Sequence, residues 1–243
     1  MKKSIIQFLK FLFVGFVLSV SLIFVVPSIA ETFVDTAYIR PRTLVFAKGN
    51  FWVYAHNNFD QSEQTMIRLS ASKLHEQLNN ATQRSKLIDC ALVRTVRSKP
   101  NKQTVDNQLK QVFVNAASGN RPIKTTVAYM WSGTDPRHKD AVGWAPIGNA
   151  GQFPEKGDLL RVAFNRDYLG DGSSYWLRSD VDYWAATLVH EIFHNLGYDH
   201  PTGRGDFITE LDLCVNFNGN IPQRLGLNGP EDDIDSRYFL MKK

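Results

Sequence analysis

His190-Glu191-Ile192-Phe193-His194-Asn195-Leu196-Gly197-Tyr198-Asp199-His200 places three imidazoles, one carboxylate and one glycine in a single short run. In an α-helix, His190 and His194 lie one turn apart on the same face, so their ring nitrogens can converge on one metal ion. Glu191 stands beside the first of them, where its carboxylate reaches a metal-held water rather than the metal itself. Gly197 lets the backbone leave the helix through a positive-φ conformation. Three residues on, His200 can return as a third ligand, leaving a fourth coordination position for water. The competing reading is an amphipathic helix with surface histidines. With 16 Gly and 6 His in 243 residues, a chance glycine and histidine at these two offsets has odds of about one in 600. Half of the 6 histidines also fall within this run, which weighs further against the competing reading.

The run resembles the long zinc-binding motif H-E-x-x-H-x-x-G-x-x-H of the metzincin metalloproteases at all five defining positions. The resemblance implies an α+β, zincin-like fold. A twisted mixed sheet with two helices would sit above the zinc-binding helix, and a small C-terminal lobe would lie below. It implies one catalytic Zn2+ on His190, His194 and His200, with Glu191 as the base that takes a proton from water and returns it to the departing amine. It further implies that the strand nearest the motif, Leu159 to Asn165, is an edge along which an extended peptide aligns; an interior strand is the alternative reading. Metzincins place a methionine turn below the zinc. Here Met241 is the one methionine after His200, with no room left for the family's closing helix, so the lower lobe is expected to be reduced or divergent. Asp199 is a candidate to orient the His200 ring through its carboxylate, or else a turn-stabilising or solvent-facing residue. Tyr198 either approaches the site or packs on the helix end.

The N-terminus reads as an export signal. Met1-Lys2-Lys3 and Lys10 precede an apolar run from Phe11 to Val26, and Ser28-Ile29-Ala30 offers a small-x-small cleavage site. Retention as a membrane anchor competes with cleavage; both put residues 31–243, the expected catalytic domain, outside the cytoplasm, secreted or periplasmic. Within it, residues 31–197 would form the upper lobe and 198–243 the lower. Without Lys2, Lys3 and Lys10 the 28 basic residues become 25, against 24 acidic ones, a net charge of about +1. No basic tract then remains to argue for nucleic acid or an anionic membrane surface. Cys90 and Cys214 are the only cysteines; in an oxidising compartment they pair, and the alternative is two buried thiols.

Thr43 to Ala47 and Phe51 to Ala55 read as two strands joined by a turn at Lys48-Gly49-Asn50. Met66, Leu69, Leu74 and Leu78 carry a helical period from Asp60 or Ser62 to about Arg84, and β-compatible residues make Leu87 to Val96 a strand. A second helix spans Thr104 to Ala117, closed by Ser118-Gly119-Asn120. Thr125 to Trp131 is a strand, and residues 132–158, with five glycines and three prolines, form a long loop. The motif helix starts near Ser179 or Asp180, with Ser179 and Asp182 fitting a capping box. Its buried stripe is Val181, Trp184, Leu188, Ile192 and Leu196. A further helix follows from Phe207 to Phe217.

Weaker signals complete the reading. Glu231-Asp232-Asp233-Ile234-Asp235 could bind calcium, although Pro230 favours a solvated helix start. Asp167 with Asp171 lacks the ligand spacing of an EF-hand loop. His56, His75 and His138 have no metal-like spacing, and Trp131, Trp144 and Trp176 either line the cleft or pack in the core. Two functional alternatives stay open beside an endopeptidase. One is a zinc hydrolase acting on cell-wall or other amides, and the other a zinc-stabilised binding module without catalysis.

Overall fold

The computed structural model describes residues 41–114, 123–130, 141–148, 159–169, 180–200 and 205–221. The expected signal segment, Ser179, Met241, the acidic run at 231–235, His138, Trp131 and Trp176 lie outside these residues.

The fold is α+β, with five strands and five helices among the described residues. The strands are β1 (Arg42–Lys48), β2 (Phe51–His56), β3 (Ile123–Met130), β4 (Gly143–Trp144) and β5 (Leu159–Asn165). The helices are α1 (Gln61–Asn79), α2 (Ala81–Arg94), α3 (Lys102–Phe113), α4 (Val181–Asn195) and α5 (Phe207–Asn216). None of these helices is long and apolar enough to cross a membrane. The sheet order is β1-β2-β3-β5-β4, with β2, β3 and β5 parallel and the two outer strands antiparallel to their neighbours. Gly49, at φ +54°, makes the tight turn of the β1–β2 hairpin. Along β2, Phe51, Val53 and Ala55 are buried while Trp52 and Tyr54 are half-exposed, the alternation of a sheet covered on one face. Helix α1 packs against β1 and β2, α4 packs against β4 and β5, and the two helices pack on each other. The motif helix is thereby held between the sheet and two further helices, α1 and α5.

Three sequence expectations change. The helix read to Arg84 stops at Asn79, because Asn80 turns extended and caps a new helix by accepting from the Gln83 N–H. Leu87 to Val96, read as a strand, therefore lies mostly in α2. Arg84, Leu87, Ile88 and Ala91 face inward at helical spacing, and Val93 and Val96 are exposed. Of the β-branched residues that signalled a strand, Ile88 faces the core, Val93 stands on the helix's solvent side and Val96 lies exposed just beyond its end. Consequently three helices, not two, precede the motif helix among the described residues. Third, β5 is not the edge of the sheet. The two-residue β4, inside the segment read as a loop, pairs with its C-terminal half through Gly143↔Phe164 and Trp144↔Ala163. Farther back, the Asn195 side chain acts as a substitute neighbour, its Oδ1 accepting from Arg161 N–H at 2.9 Å and its Nδ2 donating to Arg161 C=O at 2.8 Å.

Helix α5 returns toward α2, and Cys90 and Cys214 form a disulfide between them with Cα atoms 6.1 Å apart. The Arg94–Glu210 ion pair at 2.6 Å spans the same two helices.

Candidate metal centre

Helix α4 opens at Asp180, whose side chain accepts from the Tyr183 N–H at 3.1 Å; Asp180 is the cap, and Asp182 instead lies 3.3 Å from Lys73. Of the expected stripe, Trp184, Leu188, Ile192 and Leu196 are buried and Val181 is half-buried, but Tyr183, Ala185, Ala186, Val189 and Phe193 are buried as well. The helix is thus enclosed on most sides rather than on one stripe, with Phe164 and Trp184 rings 4.9 Å apart anchoring it to β5. It ends with the Tyr198 N–H on Phe193 C=O and the Gly197 N–H on His194 C=O, Gly197 standing at φ +91°. This pair of reversed bonds is a Schellman end, which a glycine makes without a Cβ clash.

Past that turn the chain brings His200 back to the helix. The His190–His194, His190–His200 and His194–His200 ring centroids lie 5.1, 5.0 and 4.9 Å apart. One ligand atom from each ring falls within 4.8 Å of the others, so the triad could hold a metal ion. Two of the outward nitrogens are hydrogen-bonded, and that of His190 has a carboxylate nearby without a formed hydrogen bond. His194 Nδ1 is 2.9 Å from the Tyr198 carbonyl, His200 Nδ1 is 3.1 Å from Asp206 Oδ2, and His190 Nδ1 is 3.4 Å from Asp212 Oδ2, long for a hydrogen bond. With protons on Nδ1, the Nε2 lone pairs face inward. Those of His190 and His200 are then 3.2 Å apart. Two acceptors at that distance repel each other, and a cation shared between them reverses the sign. The donor set therefore fits a metal ion that takes imidazole nitrogen.

Burial sets the protonation of these groups. Desolvation, reinforced by the neighbouring His190, lowers the His194 pKa to about 4, keeping the ring neutral as a ligand must be. Around His190, burial works against protonation, but Asp212, Glu191 and Asp206 outweigh it and the pKa is raised. Burial likewise opposes ionisation of Asp206, yet hydrogen bonds from His200 and Thr209 hold its carboxyl below the usual range.

No protein-family model matches the sequence, no curated protein is detectably similar to it, and no solved structure matches its fold.

Glu191 is 5% exposed, and its Oε2 makes no hydrogen bond among the described residues. Desolvation raises its pKa to about 7, with His190 pulling down and Asp212 pushing up. Such a carboxyl can exchange a proton near neutrality. The β4 segment closes over it. A Cβ on Gly143 would lie 2.6 Å from Glu191 Oε1, and one on Gly148 would lie 2.1 Å from the Asn195 carbonyl. The Gly148 N–H also donates to His194 C=O at 3.0 Å.

Asp199 does not reach an imidazole. It is exposed, and its Oδ1 accepts from the His200 backbone N–H at 2.7 Å, which makes it a turn residue. Tyr198 offers its carbonyl to His194, while its ring packs on Phe193 and Phe207 and its hydroxyl donates to Gln108 Oε1 at 2.9 Å. His56 and His75 are buried away from the triad. Sequence reasoning missed Asp206, Asp212, Asn195, Gly143 and Gly148. Of these, Asp206 had a usable signal: an aspartate immediately before a helix predicted from Phe207 stands where an N-cap would be.

Proposed function

We propose that this chain is an exported zinc-dependent endopeptidase of metzincin type. The observation that carries the reading is the conjunction at one point of three inward-facing imidazoles and a buried carboxyl beside them. His190, His194 and His200 would hold the ion. Two nitrogens bound at about 2.0–2.1 Å to a tetrahedral zinc stand about 3.3 Å apart, and His190 and His200 Nε2 stand 3.2 Å apart. Zinc, when bound there, would polarise a peptide carbonyl and bring the pKa of water toward neutrality.

The remaining chemistry belongs to the protein. Glu191 takes a proton from the attacking water on one carboxylate oxygen, and a pKa of about 7 lets it hold that proton before passing it to the departing amine. Burial under β4 keeps bulk water from serving as an alternative acceptor. The edge strand offers a place for substrate. Asn165 N–H donates to Val142 C=O at 2.9 Å, so by antiparallel alternation the backbone groups of Gly143 point away from β5. An extended peptide adding at that edge would run past Glu191. This assigns to β4 the alignment expected of β5. The Cys90–Cys214 disulfide supports export to an oxidising compartment.

Replacing Glu191 by Ala should leave one zinc per chain and abolish cleavage in a peptide-library digest. Chelator-sensitive cleavage that survives in E191A would overturn the role given to Glu191. Wild-type protein that is fully zinc-loaded yet cleaves no peptide would overturn the endopeptidase reading.

A further inference from the structure

Helix α5 donates no ligand, yet it presents two carboxylates to the triad. Asp206 caps it. Its Oδ1 accepts from Thr209 N–H at 2.9 Å, and its Oδ2 meets Thr209 Oγ1 at 2.9 Å and His200 Nδ1 at 3.1 Å. Capping alone explains an aspartate there. Asp212 caps nothing. It lies within the helix, 7% exposed, between Leu211 and Leu213, which are fully buried. A carboxylate in that setting is costly unless a donor or cation faces it. Among the groups facing it is His190 Nδ1, at 3.4 Å, close enough to attract a ring proton though long for a hydrogen bond.

We infer that Asp206 and Asp212 are positioning residues that set the metal affinity of the centre by holding the rings of His200 and His190. The inference rests on reading the triad as a metal site. An imidazole that keeps its proton on Nε2 cannot ligate through that atom. An acceptor at Nδ1 selects the tautomer that can, fixes the ring plane and makes the ligand nitrogen more basic. Serving both from one helix makes α5 a brace for the site. The brace is fastened to α2 and the residues after it by Cys90–Cys214, by Arg94–Glu210 at 2.6 Å and by Val96 N–H on Gly205 C=O at 3.1 Å. His194 needs no such help, because the Tyr198 carbonyl delivered by the Schellman turn already occupies its Nδ1.

The test uses the full chain, stripped of metal and titrated with zinc against a chromogenic chelator. Asp206→Ser keeps a capping hydroxyl but is too short to reach His200. Asp212→Leu removes the acceptor and leaves an apolar side chain of similar size. Each should weaken zinc binding roughly 10–100-fold and shift the visible absorption of the cobalt-substituted protein. Asp206→Asn and Asp212→Asn, which retain an acceptor oxygen, should recover most of that loss. A role confined to folding would lower the melting temperature of the metal-free protein and leave the cobalt spectrum unchanged, which would overturn the inference. So would zinc affinities of Asp206→Ser and Asp212→Leu equal to wild type. A wild-type chain that binds no zinc would instead overturn the metal-site reading beneath it.

Discussion

Gly143→Ala is the most discriminating small change the structure offers. Gly143 is not among the positive-φ glycines, so alanine brings no backbone strain of its own. The new methyl would stand 2.6 Å from Glu191 Oε1 and 3.0 Å from Thr187 Cγ2. Restoring ordinary contact at 3.4 Å displaces the carboxylate oxygen by 0.8 Å. The group that must move is the end of a side chain, so the cost in stability should stay below about 1 kcal/mol. Its cost in chemistry should be larger, because a misplacement of about 1 Å at a reacting group can lose ~100-fold in rate, or about 2.7 kcal/mol of barrier. Steady-state cleavage of a good peptide substrate by G143A should therefore show kcat/KM lowered by one to two orders of magnitude. Zinc content and melting temperature should remain close to wild type. A G143A protein that is folded, zinc-loaded and as active as wild type would refute the placement of Glu191 as the working base under β4.

Gly148→Ala should behave in the opposite way, since its Cβ would meet the fixed Asn195 carbonyl at 2.1 Å. Thermal unfolding should show a loss of about 1–3 kcal/mol, and no loss would contradict the packing of this segment on α4. In the metal-free protein, the lowered His194 pKa contributes stability that is present above pH 6.5 and lost as pH falls through about 4. The raised Glu191 pKa works the other way, with stability present below pH 4.5 and lost as pH rises through about 7. The two slopes oppose each other, so metal-free Glu191→Gln should gain roughly 3 kcal/mol over wild type at pH 8 and almost nothing at pH 4, as read from urea midpoints. Equal gains at both pH values would contradict the sign. Reducing Cys90–Cys214, which closes a sequence separation of 124, should cost about 4–5 kcal/mol by loop entropy, and an unchanged denaturation midpoint in reductant would refute that.

What could be read in advance was local. His190 and His194 are one helical turn apart and Gly197 ends the turn that returns His200, so a run of eleven residues carries the geometry of the triad. The hairpin at Gly49 and the cores of α1, α3 and β3 are legible for the same reason, since each is declared by its own period or turn residue. The errors arose where neighbours decide. Val93 favours a strand by composition, yet Asn80 starts a helix that places it in solvent. With only two residues, β4 shows no alternation, and its pairing with β5 is tertiary. Asp206 and Asp212 sit 6 and 22 residues from the imidazoles they face and reach them only because α5 folds back along α4. Asp199, adjacent to His200 in sequence, is the tempting partner and the wrong one, because its carboxylate is taken up by the backbone of the turn.

The central claim is that His190, His194 and His200 form one zinc site that works with Glu191. Stripping the full-length protein with a chelator and adding zinc back in steps, while recording bound metal and peptide cleavage together, tests it most directly. The account predicts that activity disappears on stripping and returns in proportion to zinc, saturating at one ion per chain. It also predicts that His194→Ala neither retains the ion nor recovers. Cleavage that persists after complete removal of zinc, or a His194→Ala chain that binds zinc and cleaves as wild type does, would contradict it.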